Sequence, residues 1–374
     1  MVHGKITDSY LPGDLHGRVE AAILACTPAL AAPFIPPEEV EAELGLRLAC
    51  APIADCIGNL TARFPDGPTY FVIVRASAPT AMVAAFGDFQ CLVFADALHI
   101  YFSILMSELL ESKPLCAFLQ DGDEPHDDEA ESTLTRAEAL QALLGRTGKT
   151  SPEAASRTAT IGYFLMYFLA AHELGHHALG HLGDTHRTHG RMGEADTDTA
   201  IDKLVESRAL EWEADGFGAM AAVWQALALR EQGHAAWSEQ IKDQPACVRV
   251  FMTGAYVLFS IMDLASPSTR PPESRTHPAP MVRVGLAALM LTVALEVLGI
   301  IPGDVVQEET RRSIKAVEVA LNTTAGGMMD RAEAEAVGNE AFAAVDPLYA
   351  ALTAVKPDFD RSRLQGYIWA RPFD

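Results

Sequence analysis

The chain has 374 residues, and its 50 acidic residues against 28 Lys and Arg give a formal net charge of −22. Hydrophobic residues make up 49% of it and charged residues only 21%, which excludes a wholly disordered chain. The negative charge opposes phosphate backbones and no Lys/Arg-rich run offsets it, which excludes nucleic-acid binding. The six cysteines form no CxxC pair and the first residues show no secretory signal, so we expect a cytoplasmic protein with reduced thiols.

Apolar runs raise the question of a membrane span. The runs at 161–171 and 250–262 are shorter than the roughly 20 residues that a helix needs to cross a bilayer. The run at 284–301 approaches that length, but it contains Glu296, whose ionised form is costly in lipid. We therefore expect buried core helices and no membrane span. Anchoring to a membrane by residues 284–301 is the alternative.

The first third of the chain predicts helices followed by a small sheet. Residues 1–66 have mostly helical patterns. Within residues 67–118, three short runs at 69–74, 81–86 and 90–94 are β-branched, aromatic or apolar and are separated by Pro and Gly-Asp signals. They predict a small meandering sheet, and helical spacing returns over 97–110.

Residues 119–150 are predicted as an acidic loop. The run at 121–131 holds seven carboxylates and no Lys or Arg, and it lacks the spacing of a calcium-binding loop, so a solvated loop is favoured. Ser151-Pro152-Glu153 then predicts the start of a helix. Residues 151–300 are predicted as a helical core and 301–374 as further helices. The chain is thus predicted to be one α+β domain with a mainly helical C-terminal half.

An HExxH motif lies at residues 172–176, inside the helical run 161–182. Residues four apart share a helix face, so His172 and His176 can present two imidazoles to one Zn²⁺. Glu173 can take a proton from a water molecule that the metal acidifies. A chance pair of core histidines is the alternative.

A catalytic zinc site needs a third protein ligand. On the helix predicted from residue 206, Glu211 and Asp215 share a face, so Glu211 can bind the metal while Asp215 holds the far nitrogen of a zinc-binding imidazole. The charged outer face of an amphipathic helix is the alternative. We expect His181 on the opposite face of the first helix, His177 and His181 as a solvated or supporting pair, and Glu213 on another side of its own helix.

These motifs resemble a known family. Residues 211–215, Glu-Trp-Glu-Ala-Asp, are similar to the ExxAD motif of the gluzincin peptidases related to the CAAX prenyl endopeptidase and the bacterial heat-shock membrane protease. Thr276-His277-Pro278, followed by Arg283, is similar to the family's Thr-His-Pro segment and its later Arg, and residues 79–98 resemble its strand pair. The resemblance spans residues 79–290. It implies a zincin-like fold in which the first Glu of ExxAD binds zinc together with the two histidines.

The resemblance also places His277 and Arg283 near the active site. There His277 would donate a hydrogen bond to the oxyanion of the reaction, and Arg283 would brace the site or bind a substrate carboxylate. The alternative is that Thr276 caps a helix that Pro278 begins, with His277 incidental.

Together the sequence predicts a single-domain zinc metalloendopeptidase that acts on polypeptides, with Glu173 as general base. The alternative from another class is a zinc-stabilised regulatory or interaction protein without proteolytic activity.

Overall fold

The computed structural model describes most of the chain. The described residues are 6–61, 67–123, 133–146, 150–179, 181, 201–233, 239–265, 278–329 and 331–355. Their architecture is α+β and mostly helical, with one small sheet, in agreement with the predicted fold class. The finer zincin-like assignment stays a prediction.

Helices make up most of the described chain. The α-helices are α1 (His16–Cys26), α2 (Pro37–Ala42), α3 (Leu44–Thr61), α4 (Asp96–Leu110), α5 (Lys113–Asp121), α6 (Arg136–Leu144), α7 (Pro152–Ala178), α8 (Ile201–Glu231), α9 (Gln244–Ala265), α10 (Pro280–Val297), α11 (Gly303–Ala325) and α12 (Arg331–Val355). Three short 3₁₀ helices flank α1 at Ile6–Asp8, Gly13–Leu15 and Pro28–Leu30.

The sheet has three strands, β1 (Thr69–Val74), β2 (Ala81–Ala85) and β3 (Gln90–Ala95), in the order β1-β3-β2. The predicted meander is wrong, because β3 lies between the other two, parallel to β1 and antiparallel to β2. The link from β1 to β2 crosses the end of β3. There the Ala76 N–H donates to Asp96 Oδ1 over 3.1 Å and the Ala95 N–H donates to the Thr80 carbonyl over 3.0 Å.

Helix α7 lies in the middle of the core. Every residue from Tyr163 to His176 is buried, because α7 packs against α3, α4, α8, α9, β2 and β3. Ser151 caps its first turn by accepting a hydrogen bond from the Ala154 N–H over 3.2 Å, and Pro152 occupies the first helical position. A helix that is apolar on all sides requires such an interior position. The HExxH residues therefore lie in the protein interior.

Two glycines allow α7 and α8 to pack closely. A Cβ atom on Gly175 would lie 3.1 Å from Cδ1 of Phe217, and one on Gly218 would lie 2.9 Å from both the carbonyl oxygen and Cδ2 of Phe168. A side chain at position 218 would therefore force the two helices apart, and one at position 175 would require the Phe217 ring to move. The close packing brings residues of α8 to the HExxH motif.

The predicted acidic loop at 119–150 is only partly a loop. Helix α5 extends to Asp121, and α6 begins at Arg136 behind a capping box in which Thr135 and Glu138 bond to each other's backbone N–H. Residues 124–132, which hold most of the acidic run, lie outside the described residues.

Buried apolar side chains form one large cluster that extends from Ile6 to Met329. A smaller cluster, which includes Trp212 and Leu286, lies where α8, α10 and α12 meet. The division of the chain into parts stays a prediction.

Two described helices are long and apolar enough to cross a membrane by length and composition. They are α9, with mean hydropathy 1.5, and α10, with mean hydropathy 1.7. Of their most apolar windows, 89% and 61% respectively are buried inside the fold. The run at 250–262 was predicted to be too short to span, yet α9 extends it to 22 residues. Since buried core helices have the same composition, these helices are weak evidence for a membrane, and the absence of a span stays a prediction.

Candidate metal centre

Two imidazoles from α7 meet at the centre of the site. His172 and His176 are four residues apart, and their Nε2 atoms lie 3.2 Å from each other. Both side chains are buried. The helical spacing therefore brings the two predicted ligands to one point, as the sequence indicates.

The third predicted ligand comes from α8. Glu211 places Oε2 3.5 Å from Nε2 of His172 and Oε1 3.5 Å from Nε2 of His176. One ligand atom from each of the three residues lies within 4.8 Å of the other two. Because Glu211 is buried, the alternative of a charged outer helix face is wrong. This group of His172, His176 and Glu211 could hold a metal ion.

Asp215 and Arg283 lie behind His172. Oδ1 of Asp215 is 3.0 Å from Nδ1 of His172, close enough for a hydrogen bond although the direction is not ideal. Arg283, in the first turn of α10, donates to both oxygens of Asp215 over 2.8 and 2.6 Å and stacks over Phe259 at 5.1 Å. Its Nη2 atom also lies 3.5 Å from Oε2 of Glu211. The guanidinium thus joins the carboxylate behind the first histidine to the carboxylate that faces it.

The ionisation of these groups follows from burial and charge together. Burial alone would raise the pKa of Asp215, but the charge and hydrogen bonds of Arg283 and the hydrogen bond of His172 hold that pKa below its usual value. Burial lowers the pKa of His172, yet the hydrogen bond and charge of Asp215, with the charge of Glu211, outweigh burial and raise it. Asp215 is therefore ionised, and its carboxylate can accept a hydrogen bond from Nδ1–H of His172.

Glu173 follows His172 on α7 and is fully buried. Its Oε2 atom has no hydrogen-bond partner among the described residues, and Nη1 of Arg283 is likewise without one. Burial raises the pKa of Glu173 to about 7, opposed by the charge of His172 and reinforced by that of Glu211. An unpaired buried carboxylate oxygen is costly, which makes Glu173 a candidate functional residue. A nearby divalent cation would lower the pKa again by electrostatic attraction.

His181 was misplaced by the prediction from sequence. The helical run was expected to continue to residue 182, but α7 ends at Ala178, and the His181 N–H donates to the His176 carbonyl over 2.8 Å. Its ring folds back so that Nδ1 lies 2.9 Å from Nδ1 of His176. Glycine commonly follows the end of a helix, so Gly180 was the sequence signal for this ending.

Glu213 has a partner that the sequence did not indicate. It is buried, and its Oε2 lies 2.8 Å from Nε2 of His181. His177, which was paired with His181 in the prediction, is half-buried and lies outside the metal-binding group.

His277 and Thr276 lie outside the described residues. The helix that follows them begins at Pro280, with Ala279 before it and no side-chain cap. Pro278 therefore does not begin this helix, while the parts of that alternative that concern Thr276 and His277 lie outside the described residues.

The ligand set suits a transition metal. With Asp215 and His181 facing the Nδ1 hydrogens, neutral rings of the two ligand histidines carry lone pairs on Nε2. Two such nitrogens 3.2 Å apart repel each other unless a proton or a metal ion lies between them. A cation between them removes that repulsion. Two imidazoles and one carboxylate are the protein ligands of catalytic zinc in several peptidases, although imidazole also binds copper, iron and nickel.

Comparisons of the chain with protein-family models, curated proteins and solved structures found no match to any of them. The resemblance to the gluzincin peptidases therefore depends on the motif residues, and it stays a prediction.

Proposed function

We propose that the protein is a zinc-dependent endopeptidase. The observation that carries the proposal is the buried convergence of His172, His176 and Glu211, with a second carboxyl group, Glu173, adjacent in sequence and holding an oxygen that no described residue bonds. A metal site that only stabilises a fold is closed by its protein ligands and has no use for a buried base. Three protein ligands and a base are the arrangement that hydrolysis requires.

Zinc in this site would be held by the two Nε2 atoms and the carboxylate of Glu211. When bound, zinc acts as a Lewis acid that acidifies a water molecule and polarises the carbonyl group of a peptide bond. The other residues of the site move the protons and orient the metal ligands.

Glu173 is the proton carrier in this proposal. Its carboxylate accepts the proton of the attacking water at one carboxylate oxygen and later passes it to the nitrogen of the leaving amine. Burial raises the pKa of Glu173 in the metal-free site, and a bound cation would lower it again, so beside zinc we expect the carboxylate, which is the form that can accept the proton of water.

Asp215 and Arg283 orient the first ligand. Asp215 holds Nδ1 of His172 and so directs Nε2 towards the metal, and Arg283 fixes Asp215 through two hydrogen bonds. The role of His277 as a donor to the oxyanion comes from the resemblance alone. Polypeptide substrates and a cytoplasmic location belong to the same proposal.

The test compares wild type with Glu173→Gln. Zinc content is measured by metal analysis, and cleavage is followed by mass spectrometry on an unfolded polypeptide such as reduced casein. We expect zinc to be retained and cleavage to fall by about 10²–10⁴-fold, the usual contribution of a general base. Glu153→Gln is the matched control, because it makes the same change on the same helix at a side chain that is 66% exposed, and it should leave cleavage unchanged.

Two further outcomes decide between the alternatives. Wild type that binds zinc but cleaves no unfolded polypeptide would support the regulatory protein instead. Wild type that binds no divalent metal, or Glu211→Ala that binds zinc as tightly as wild type, would refute the metal site itself.

A further inference from the structure

A second line of contacts lies behind the metal-binding group, on the side of His176. Nδ1 of His176 lies 2.9 Å from Nδ1 of His181, and Nε2 of His181 lies 2.8 Å from Oε2 of Glu213. All three side chains are buried, with Glu213 3% exposed and His176 3% exposed. The contacts run from His176, a proposed metal ligand, through the imidazole of His181 to the carboxylate of Glu213, two residues after Glu211.

With Glu213 ionised and His181 neutral, the two contacts assign the hydrogen positions at the far end. An ionised carboxylate accepts hydrogen bonds and cannot donate them, so the contact with Glu213 requires a hydrogen on Nε2 of His181. A neutral imidazole carries one such hydrogen. Nδ1 of His181 then carries a lone pair, so it can only accept a hydrogen bond.

The same argument continues to the ligand. Since Nδ1 of His181 accepts, Nδ1 of His176 must carry the hydrogen between the two rings. The neutral ring of His176 then has its lone pair on Nε2, the atom that faces Glu211 and His172. The reverse arrangement would place a hydrogen on Nε2 and leave that atom, the one that faces the other two ligands, unable to bind a metal.

We propose that His181 and Glu213 are positioning residues that hold His176 in its metal-binding tautomer and orientation. The inference depends on the metal site of the proposed function and is independent of proteolysis. Glu213 fixes the tautomer of His181, and His181 in turn fixes that of His176. The two ligand histidines are thus held differently, His172 directly by a carboxylate and His176 through an intervening ring.

The fold makes this arrangement possible at two places. Helix α7 ends one residue after His177, at Ala178, which allows the backbone to return and bring the ring of His181 against His176. Helix α8 supplies both Glu211 and Glu213, so one helix holds the ligand carboxylate and the positioning carboxylate. Movement of α8 relative to α7 would disturb both at once.

The test measures metal binding in the full chain with zinc and cobalt as the probes. Zinc affinity is determined by competition with a chromophoric chelator, and the cobalt-substituted protein is examined by visible absorption. His181→Phe keeps a ring but removes both hydrogen bonds, and we expect zinc affinity to fall about 10–100-fold, with altered cobalt bands. His181→Asn keeps an acceptor close to His176 and should recover part of that affinity. His177→Phe is the matched control, at a half-buried histidine of the same helix end, and should bind both metals as wild type does.

Glu213→Gln provides a second variant if His181→Phe fails to fold, as judged by circular dichroism. It removes the charge that fixes the tautomer of His181, and we expect weaker zinc binding and altered cobalt bands. Wild-type affinity and an unchanged cobalt spectrum in a folded His181 or Glu213 variant would overturn the inference, as would equal losses in His181→Phe and His181→Asn. Failure of wild type to bind zinc would instead refute the proposed function, so the two failures are distinguishable.

Discussion

Replacing Gly218 with Ala tests whether the contact between α7 and α8 holds the metal ligands together. The new Cβ atom would lie 2.9 Å from the carbonyl oxygen of Phe168 and 2.9 Å from its Cδ2 atom. A change of rotamer can move the ring, but it cannot move the backbone oxygen. One of the two helices must therefore shift.

The size of the shift follows from ordinary contact distances. Relief to 3.4 Å, the lower end of normal van der Waals contact, requires a movement of roughly 0.5 Å. Overpacking of this kind costs about 1–3 kcal/mol, and the better helix propensity of Ala returns about 1 kcal/mol, so we expect a net loss of stability of up to about 2 kcal/mol. Metal–ligand distances tolerate only about 0.2 Å, so Glu211 on α8 would fit the histidines of α7 poorly and zinc affinity should fall at least about tenfold.

Urea unfolding of the metal-free protein and chelator competition measure the two effects separately. Gly58→Ala is the matched control, because Gly58 lies inside α3 with no atom within 4 Å of the new Cβ position. It should stabilise the protein by about 0.5–1 kcal/mol and leave zinc affinity unchanged. If Gly218→Ala were as stable as Gly58→Ala and bound zinc like wild type, the idea that close helix packing sets the site geometry would be refuted.

Two further substitutions test the buried charges. Arg283→Met leaves Asp215 buried without its cation. We expect the free energy of unfolding, measured in urea, to fall by about 3–5 kcal/mol and zinc to bind more weakly. An unchanged urea midpoint would contradict the role given to this pair. Glu318→Ala removes the acceptor of Arg136, Tyr256 and the Met329 N–H, and it should cost about 3–5 kcal/mol without changing zinc affinity. The control for Glu318→Ala is Glu308→Ala, which removes the partner of Arg311 in an exposed ion pair and should leave the urea midpoint unchanged. An equal loss of stability in both variants would show that burial is not the cause.

Local patterns predicted much of the fold because they depend on neighbours in sequence. The three strands and the long helix of the HExxH motif are set by residue type and period, and the structure places them within a few residues of the predicted ranges. Strand order failed because pairing joins distant residues, and nothing in the runs themselves says that β3 lies between β1 and β2. The helix α6 within the predicted acidic loop had a readable signal in Thr135 and Glu138, which form a capping box.

The sequence by itself determined which residues could bind a metal. Spacing of four places His172 beside His176 and Glu211 beside Asp215, because helical geometry alone fixes which side chains share a face. The tertiary structure decided what surrounds them. Where α7 ends, and how closely α8 packs on it, brings His181 and Glu213 behind His176 and Arg283 behind Asp215. Those contacts join residues from separate elements or from beyond a helix end, and they follow from packing and backbone reversal, which no local period encodes.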